Sequence, residues 1–161
     1  MKKVIVLSIV LILIIAGLAL GAGVVTQTKS RLSENVEVIN IDIVADASGN
    51  IALDASGNAT TFSTEAFNGF VFLVTTNPGT PSPTSSYDVY LYDSTDTSLD
   101  VMGGQLVDRS PTLSQQLLPK IGGVTVEKGR YVQGGLSVDV SNNTASNAVI
   151  GLKIYYNKDI K

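Results

Sequence analysis

Apolar and polar positions divide the chain into two regimes. From Val4 to Val25 run 22 consecutive residues without a charge and with a single hydroxyl, Ser8, preceded by Lys2-Lys3. From Val36 onward apolar residues return only in short runs, many of them alternating with polar ones. As a helix the first run is about 33 Å long, enough to cross a hydrocarbon core of about 30 Å. It predicts a membrane helix over 1–25, with Val4, Leu7, Leu11, Leu13, Ile15, Leu18 and Leu20 as the anchor. Small residues gather at its far end, and Gly17-x-x-x-Gly21 has the spacing of a helix-packing face. A cleaved signal peptide is the rival reading, since Ala19-Leu20-Gly21 is a passable small-x-small site. Against cleavage, Val4–Ala19 is longer than an ordinary signal core of about 7–15 residues. Lys2, Lys3 and the α-amino group favour an N-in orientation.

Thr26–Asn35 is polar with mixed charge and reads as a short stalk, or as a continuation of the helix. Beyond it the period is two. In Val36–Val44, Ile39, Ile41 and Ile43 share one face and Asn40 and Asp42 the other. Val36 and Val38 have the opposite parity, which predicts a bulge near Val38–Ile39. Phe67–Thr75 is almost continuously apolar, as a strand covered on both sides would be. In Tyr87–Asp93, Val89 and Leu91 face one way with Tyr87, while Tyr90 and Tyr92 face the other. Leu136–Val140 and Ala148–Tyr156 alternate in the same way. Shorter strand candidates are Ile51–Leu53, Thr60–Ser63, Leu99–Met102, Val124–Val126 and Tyr131–Gln133. Turn signals such as Asn77-Pro78-Gly79, Gly122-Gly123 and Gly134-Gly135 separate them. Thr112–Leu118 reads as a short helix, entered from Ser110-Pro111 and stopped by Pro119.

The predicted fold is therefore mainly β: a single antiparallel β-sandwich or jelly roll over 36–161, behind one hydrophobic helix and a stalk over 26–35. Phe70, Phe72, Val89, Leu91, Val138, Ile150, Leu152 and Ile154 are the expected core. Tyr87, Tyr90, Tyr92 and Tyr155 are expected at a rim or a subunit contact.

Composition narrows the chemistry. The 161 residues include no Cys, no His and no Trp. That removes disulfides, thiolate and imidazole catalysis, and the usual zinc ligands. The net charge is −3, and −5 once residues 1–25 are set aside, which gives nucleic acid no electrostatic footing. Carboxylates, Lys and Tyr remain. Asp46-Ala-Ser-Gly-Asn50 recurs as Asp54-Ala-Ser-Gly-Asn58. Each copy brings one carboxylate and no nearby Glu, which suits hairpin turns better than a calcium loop. Asp93, Asp96 and Asp100 could in principle supply an acid–base pair, but a solvated loop explains them equally. Thr75–Ser86, with its prolines, reads as a stiff exposed loop. No catalytic residue, cofactor or metal is expected, and the chain is read as a non-enzyme.

Tyr87-Asp88-Val89, Asp93, Asp100-Val101-Met102-Gly103-Gly104 and Arg109-Ser110-Pro111-Thr112 together resemble small structural proteins of bacteriophages. Gly134-Gly135-Leu136-Ser137-Val138, Val140-Ser141-Asn142-Asn143 and Ile150-x-Leu152-x-Ile154-Tyr155-Tyr156 are similar to the last two strands of that family. Ala45–Asn50 and Phe67-Asn68-Gly69-Phe70 fit its first hairpin. The resemblance covers about residues 45–156. It implies a β-sandwich or jelly-roll virion component without catalytic residues. The N-terminal span departs from the family pattern and points to a virion with an internal membrane. The expected function is then a membrane-anchored minor capsid or capsid-associated protein, with the lipid bilayer and capsid subunits, or copies of itself, as partners. Two other classes stay open. A pilin- or flagellin-like filament subunit also places an apolar helix before a β-domain, though the usual processing site is missing here. A secreted β-sandwich binding module is the other, and it lacks Trp for a sugar platform.

Overall fold

A computed structural model describes residues 23–51 and 61–158. The predicted membrane helix (through residue 22), its anchor side chains, Gly17 and Gly21, the Asp54 turn and most of the candidate strand Ile51–Leu53 lie outside the described residues. What is described is antiparallel β structure with no helix among the described residues. The strands are β1 (Val24–Arg31), β2 (Val36–Val44), β3 (Phe62–Ser63), β4 (Asn68–Pro78), β5 (Asp88–Asp93), β6 (Asp96–Asp100), β7 (Gln115–Leu117), β8 (Lys120–Ile121), β9 (Val124–Thr125), β10 (Arg130–Gln133), β11 (Leu136–Ser141) and β12 (Val149–Lys158).

One sheet runs β1-β2-β12-β4-β10, with β7 on the same edge of β4 as β10. A second runs β3-β11-β5-β6, and β8-β9 is a separate hairpin. The two larger sheets share one core. Ile39, Ile41, Ile43, Val71, Val74, Ile150, Leu152, Ile154 and Tyr156 come from the first sheet. Val89, Leu91, Leu136 and Val138 come from the second. Cross-strand register arranges the inner face of the larger sheet in rows. Gln27, Ile41, Leu152, Thr76 and Gln115 form one, and Lys29, Ile39, Ile154, Val74 and Leu117 the next. Residues opposite each other share a face, so the alternation of Val36–Val44 is what commits the sheet to this core.

Four sequence expectations change. Residues 24–31 form a strand, not a stalk or a helix extension. All eight pair with β2, Val25 packs on the core, and the Gln27 amide donates to the Ser63 carbonyl (2.8 Å) while accepting from Glu65 N–H (3.1 Å). A polar segment with alternate residues facing inward satisfies its backbone more fully on the free edge of β2 than alone. The bulge is not at Val38–Ile39, because β2 is in unbroken register with both neighbours. It lies in β4, where Phe72 is skipped between the pairs Tyr155–Leu73 and Tyr156–Val71. That extra residue reverses the parity of β4. Val71 and Val74 therefore point inward, while Phe70 is 39% exposed and Phe72 half-buried, against the expectation that both are core. The other six expected core residues are buried. Finally, Thr112–Leu118 is not helical. Ser110 Oγ accepts from Leu113 N–H (3.0 Å) to close a turn, and Gln115–Leu117 pairs with β4, whose edge is open there.

Gly129, at φ +83, faces the carbonyl of Val71 so closely that a Cβ would collide with backbone. It brings the chain into β10. Gly129→Ala should lower the unfolding free energy by about 1–3 kcal/mol in a urea melt, with the loss in midpoint and not in slope.

Candidate functional site

Of the 14 carboxylates in this chain, the fold uses Asp46, Asp93, Asp96 and Asp100 as turn closures. Asp46 Oδ1 accepts from the N–H groups of Ser48 and Asn50, both at 2.8 Å. Burial alone would push Asp46 up, but those N–H donors outweigh it and hold its pKa below the ordinary value. Asp93 accepts from Thr95 N–H (2.8 Å) and hydroxyl (2.6 Å), and Asp96 does the same for Ser98 (3.0 and 2.6 Å). Asp100 accepts from Met102 and Gly104 N–H. Asp93, Asp96 and Asp100 thus each accept from N–H groups and hydroxyls two to four residues ahead, as Asp does in turns. Asp88 is buried and ties two loops, accepting from Asp108 N–H (2.8 Å) and Asn142 Nδ2 (2.5 Å). Among the described residues no group of three or more His, Cys, Asp or Glu is placed to hold a metal ion.

A tighter cluster sits at the Arg31 end of β1, on the inner face. The Tyr156 hydroxyl donates to Glu37 Oε2 at 2.5 Å. Lys29 Nζ lies 3.4 Å from the same oxygen, and Lys158 Nζ 3.4 Å from Oε1. Lys29 also stands 5.5 Å over the Tyr156 ring, and Phe67 packs on that ring with centroids 4.3 Å apart. The Tyr156 hydrogen bond is the main reason that the Glu37 pKa falls below its ordinary 4.5, with Lys29 adding to it. Burial, then Glu37, raise the Tyr156 pKa. The chemistry is that of a structural lock: an ionised acceptor, a neutral donor and two cations closing one end of the core. Glu37→Gln should reduce stability at pH 7 by about 1–2 kcal/mol through loss of charge-assisted hydrogen bonding. Because the folded pKa is depressed, that contribution is full above the unfolded value and lost as pH falls through the folded one. The gap between variant and wild type should therefore narrow as pH falls below 4.5 and close once Glu37 is protonated in the folded state, in parallel melts. A constant gap would assign the loss to packing.

The outer face of the larger sheet is the remaining candidate surface. Its rows, read from the β1 N-terminus upward, start with Val24, Val44 and Val149. Thr26, Asp42, Gly151 and Asn77 follow, then Thr28, Asn40, Lys153, Thr75 and Gln116. Above these come Ser30, Val38, Tyr155 and Leu73, and then Val36, Asn157, Phe70 and Tyr131. Phe70 and Tyr131 meet edge to face with centroids 5.2 Å apart, and Phe72 lies 6.4 Å from Tyr155. Tyr131 is 42% exposed, like Phe70. Beside them a groove of about 380 Å³ is lined by Thr75, Asn77, Ser114, Gln116, Lys153 and Tyr155.

The expected tyrosine contact surface is thus split. Tyr87 is fully buried in the core and does not reach the rim, because its parity is that of Val89 and Leu91. Tyr90 and Tyr92 stack at 5.8 Å on the other sheet, and Tyr155 joins the aromatic belt. Phe70 and Tyr131 carry no sequence signature as a surface aromatic pair, since only register brings them together. The Lys29–Glu37–Lys158 lock is equally illegible in sequence, its members lying on three strands. Comparison with family models, with curated proteins and with solved structures finds no match.

Proposed function

We propose that this chain is a membrane-tethered β-sandwich subunit of a protein shell, in a virion whose capsid encloses a lipid bilayer. The observation that carries the reading is the junction at Val24. The uncharged run Val4–Val25 ends inside β1, so no polar residue separates it in sequence from the edge of the sheet. A flexible tether would need a linker of its own. Here the domain would be held at a fixed height and tilt, as a shell component requires. Val24, 54% exposed, Val44, 37% exposed, and Val149 form an apolar row at that same end, suited to a lipid interface. The turn and strand resemblance over 45–156 supplies the virion part of the proposal. Closure of the Asp turns on their own backbone favours a structural over a catalytic role.

A filament subunit would bury residues 1–25 in a helical bundle. One observation favours a secreted form: a chain cut after Gly21 or Gly23 would begin at, or just before, β1. Mass spectrometry of purified particles distinguishes these. We expect the chain in the particle with a peptide spanning residues 4–25 intact. A soluble monomer starting at residue 22 or 24 would overturn the tether.

A further inference from the structure

We propose that a second copy of this chain packs on the outer face of the larger sheet. The two copies are related by a two-fold axis that runs parallel to the strands, between β12 and β4. Four observations point to this occupant.

The first is charge. The outer rows of β1, β2, β12, β4, β10 and β7 carry one acid, Asp42, and one base, Lys153, among polar and apolar neighbours. A face of zero net charge can meet its own copy without like-charge opposition, provided the two lysines do not coincide.

The second is complementarity by row. An axis parallel to the strands preserves height, so each outer row meets its own counterpart with left and right exchanged. Tyr155 then stands over Leu73 and Phe72 of the second copy. Val36 stands over its Tyr131, Asn40 over its Gln116 and Lys153 over its Thr75. Each contact occurs twice. The aromatic belt is covered, and Lys153 meets a hydroxyl in place of the other Lys153.

The third is area. Four overlapping strands at about 4.8 Å spacing, and the eight residue steps from the Val44 row to the Val36 row at about 3.3 Å, give about 500 Å² per copy. That is about 1,000 Å² over both copies before side-chain relief, the size at which specific interfaces begin.

The fourth is position. The aromatic belt lies six to eight residues above the Val24 row, about 20–26 Å from where the apolar run joins β1. On the tethered reading, lipid at that junction would not reach it, which leaves the belt open to a protein surface. The direction of the axis rests on the tethered reading, since it sends both N-terminal segments to the same side. The choice of face stands on the first three observations without it.

The chain has no native cysteine, so single substitutions report cleanly. In the full-length protein, extracted in detergent, Thr75→Cys lies beside the axis and Ser137→Cys lies on the outer face of the other sheet. With sheets packed about 10 Å apart, a short bismaleimide should join Thr75→Cys to its copy and leave Ser137→Cys monomeric. Adding Phe70→Ser and Tyr131→Ser should cut the cross-linked fraction roughly tenfold, with the melting midpoint lowered by only the few degrees that loss of the part-exposed Phe70–Tyr131 contact costs, so that the domain is still folded at the temperature of the assay. Cross-linking at Ser137→Cys alone, or equal yields with and without the two serines, would overturn the interface. Carbonate extraction of the same samples reads the tether separately. Protein that cross-links through Thr75→Cys but washes off the membrane overturns the tether and leaves the interface standing. Protein that stays with the membrane and fails to cross-link does the reverse.

Discussion

Ile154→Ala should remove about 3–4 kcal/mol of unfolding free energy, a large share of the roughly 5–15 kcal/mol that holds an ordinary domain together. Ile154 is fully buried on the central strand β12, between Ile39 on β2 and Val74 on β4. The sheet backbone is fixed on both sides by hydrogen bonds, so it cannot collapse into the cavity left by the missing carbons. Ile154→Val, one methylene smaller, should cost about 1 kcal/mol. The informative contrast is Phe70→Ala. The larger side chain goes, yet its exposure and its single edge-to-face partner limit the loss to about 1 kcal/mol. Urea unfolding of the three variants checks the ranking. A Phe70→Ala loss equal to that of Ile154→Ala would return Phe70 to the core and remove the bulge at Phe72.

On the proposed tether, Leu13→Asp should release the chain from membranes. A carboxylate near the middle of a spanning helix adds about 3 kcal/mol to insertion, against the small favourable increment of the leucine it replaces. Most of the protein should then move from the carbonate-resistant to the soluble fraction. Leu13 precedes the first residue of β1, Val24, by 11 positions, so the β-domain should keep its native melting midpoint. Unchanged membrane recovery of the variant would sink the tether, and a lowered midpoint would mean that the segment is part of the folded core.

Much of the sheet structure is legible because its signal is local. Val36–Val44, Tyr87–Asp93, Leu136–Val140 and the last strand each display the period of two, and each faces the way its alternation says. The turn chemistry of Asp46 is equally local, because an Asp side chain reaches N–H groups only two to four residues ahead. Phe70 and Phe72 depart from the expected core because a bulge is a property of two strands. Its presence depends on how β12 registers against β4, and an apolar stretch such as NGFVFLV accepts either parity. Gln115–Leu117 became a strand for a related reason: a three-residue segment has little preference of its own and takes whatever edge is open.

By itself, then, the sequence determined the β class, the positions of most strands, the turn role of Asp46, the absence of thiol and imidazole chemistry, and the uncharged run before Val24. These follow from periodicity, composition and contacts within a few residues. Only the tertiary structure decided that Val24–Arg31 is an edge strand, that β4 turns its aromatics outward, and that Lys29, Glu37, Tyr156 and Lys158 meet. Each of those depends on pairing between separate strands, from the β1–β2 hairpin to β12 on β4. Cross-strand register sets that pairing, and no single strand carries it.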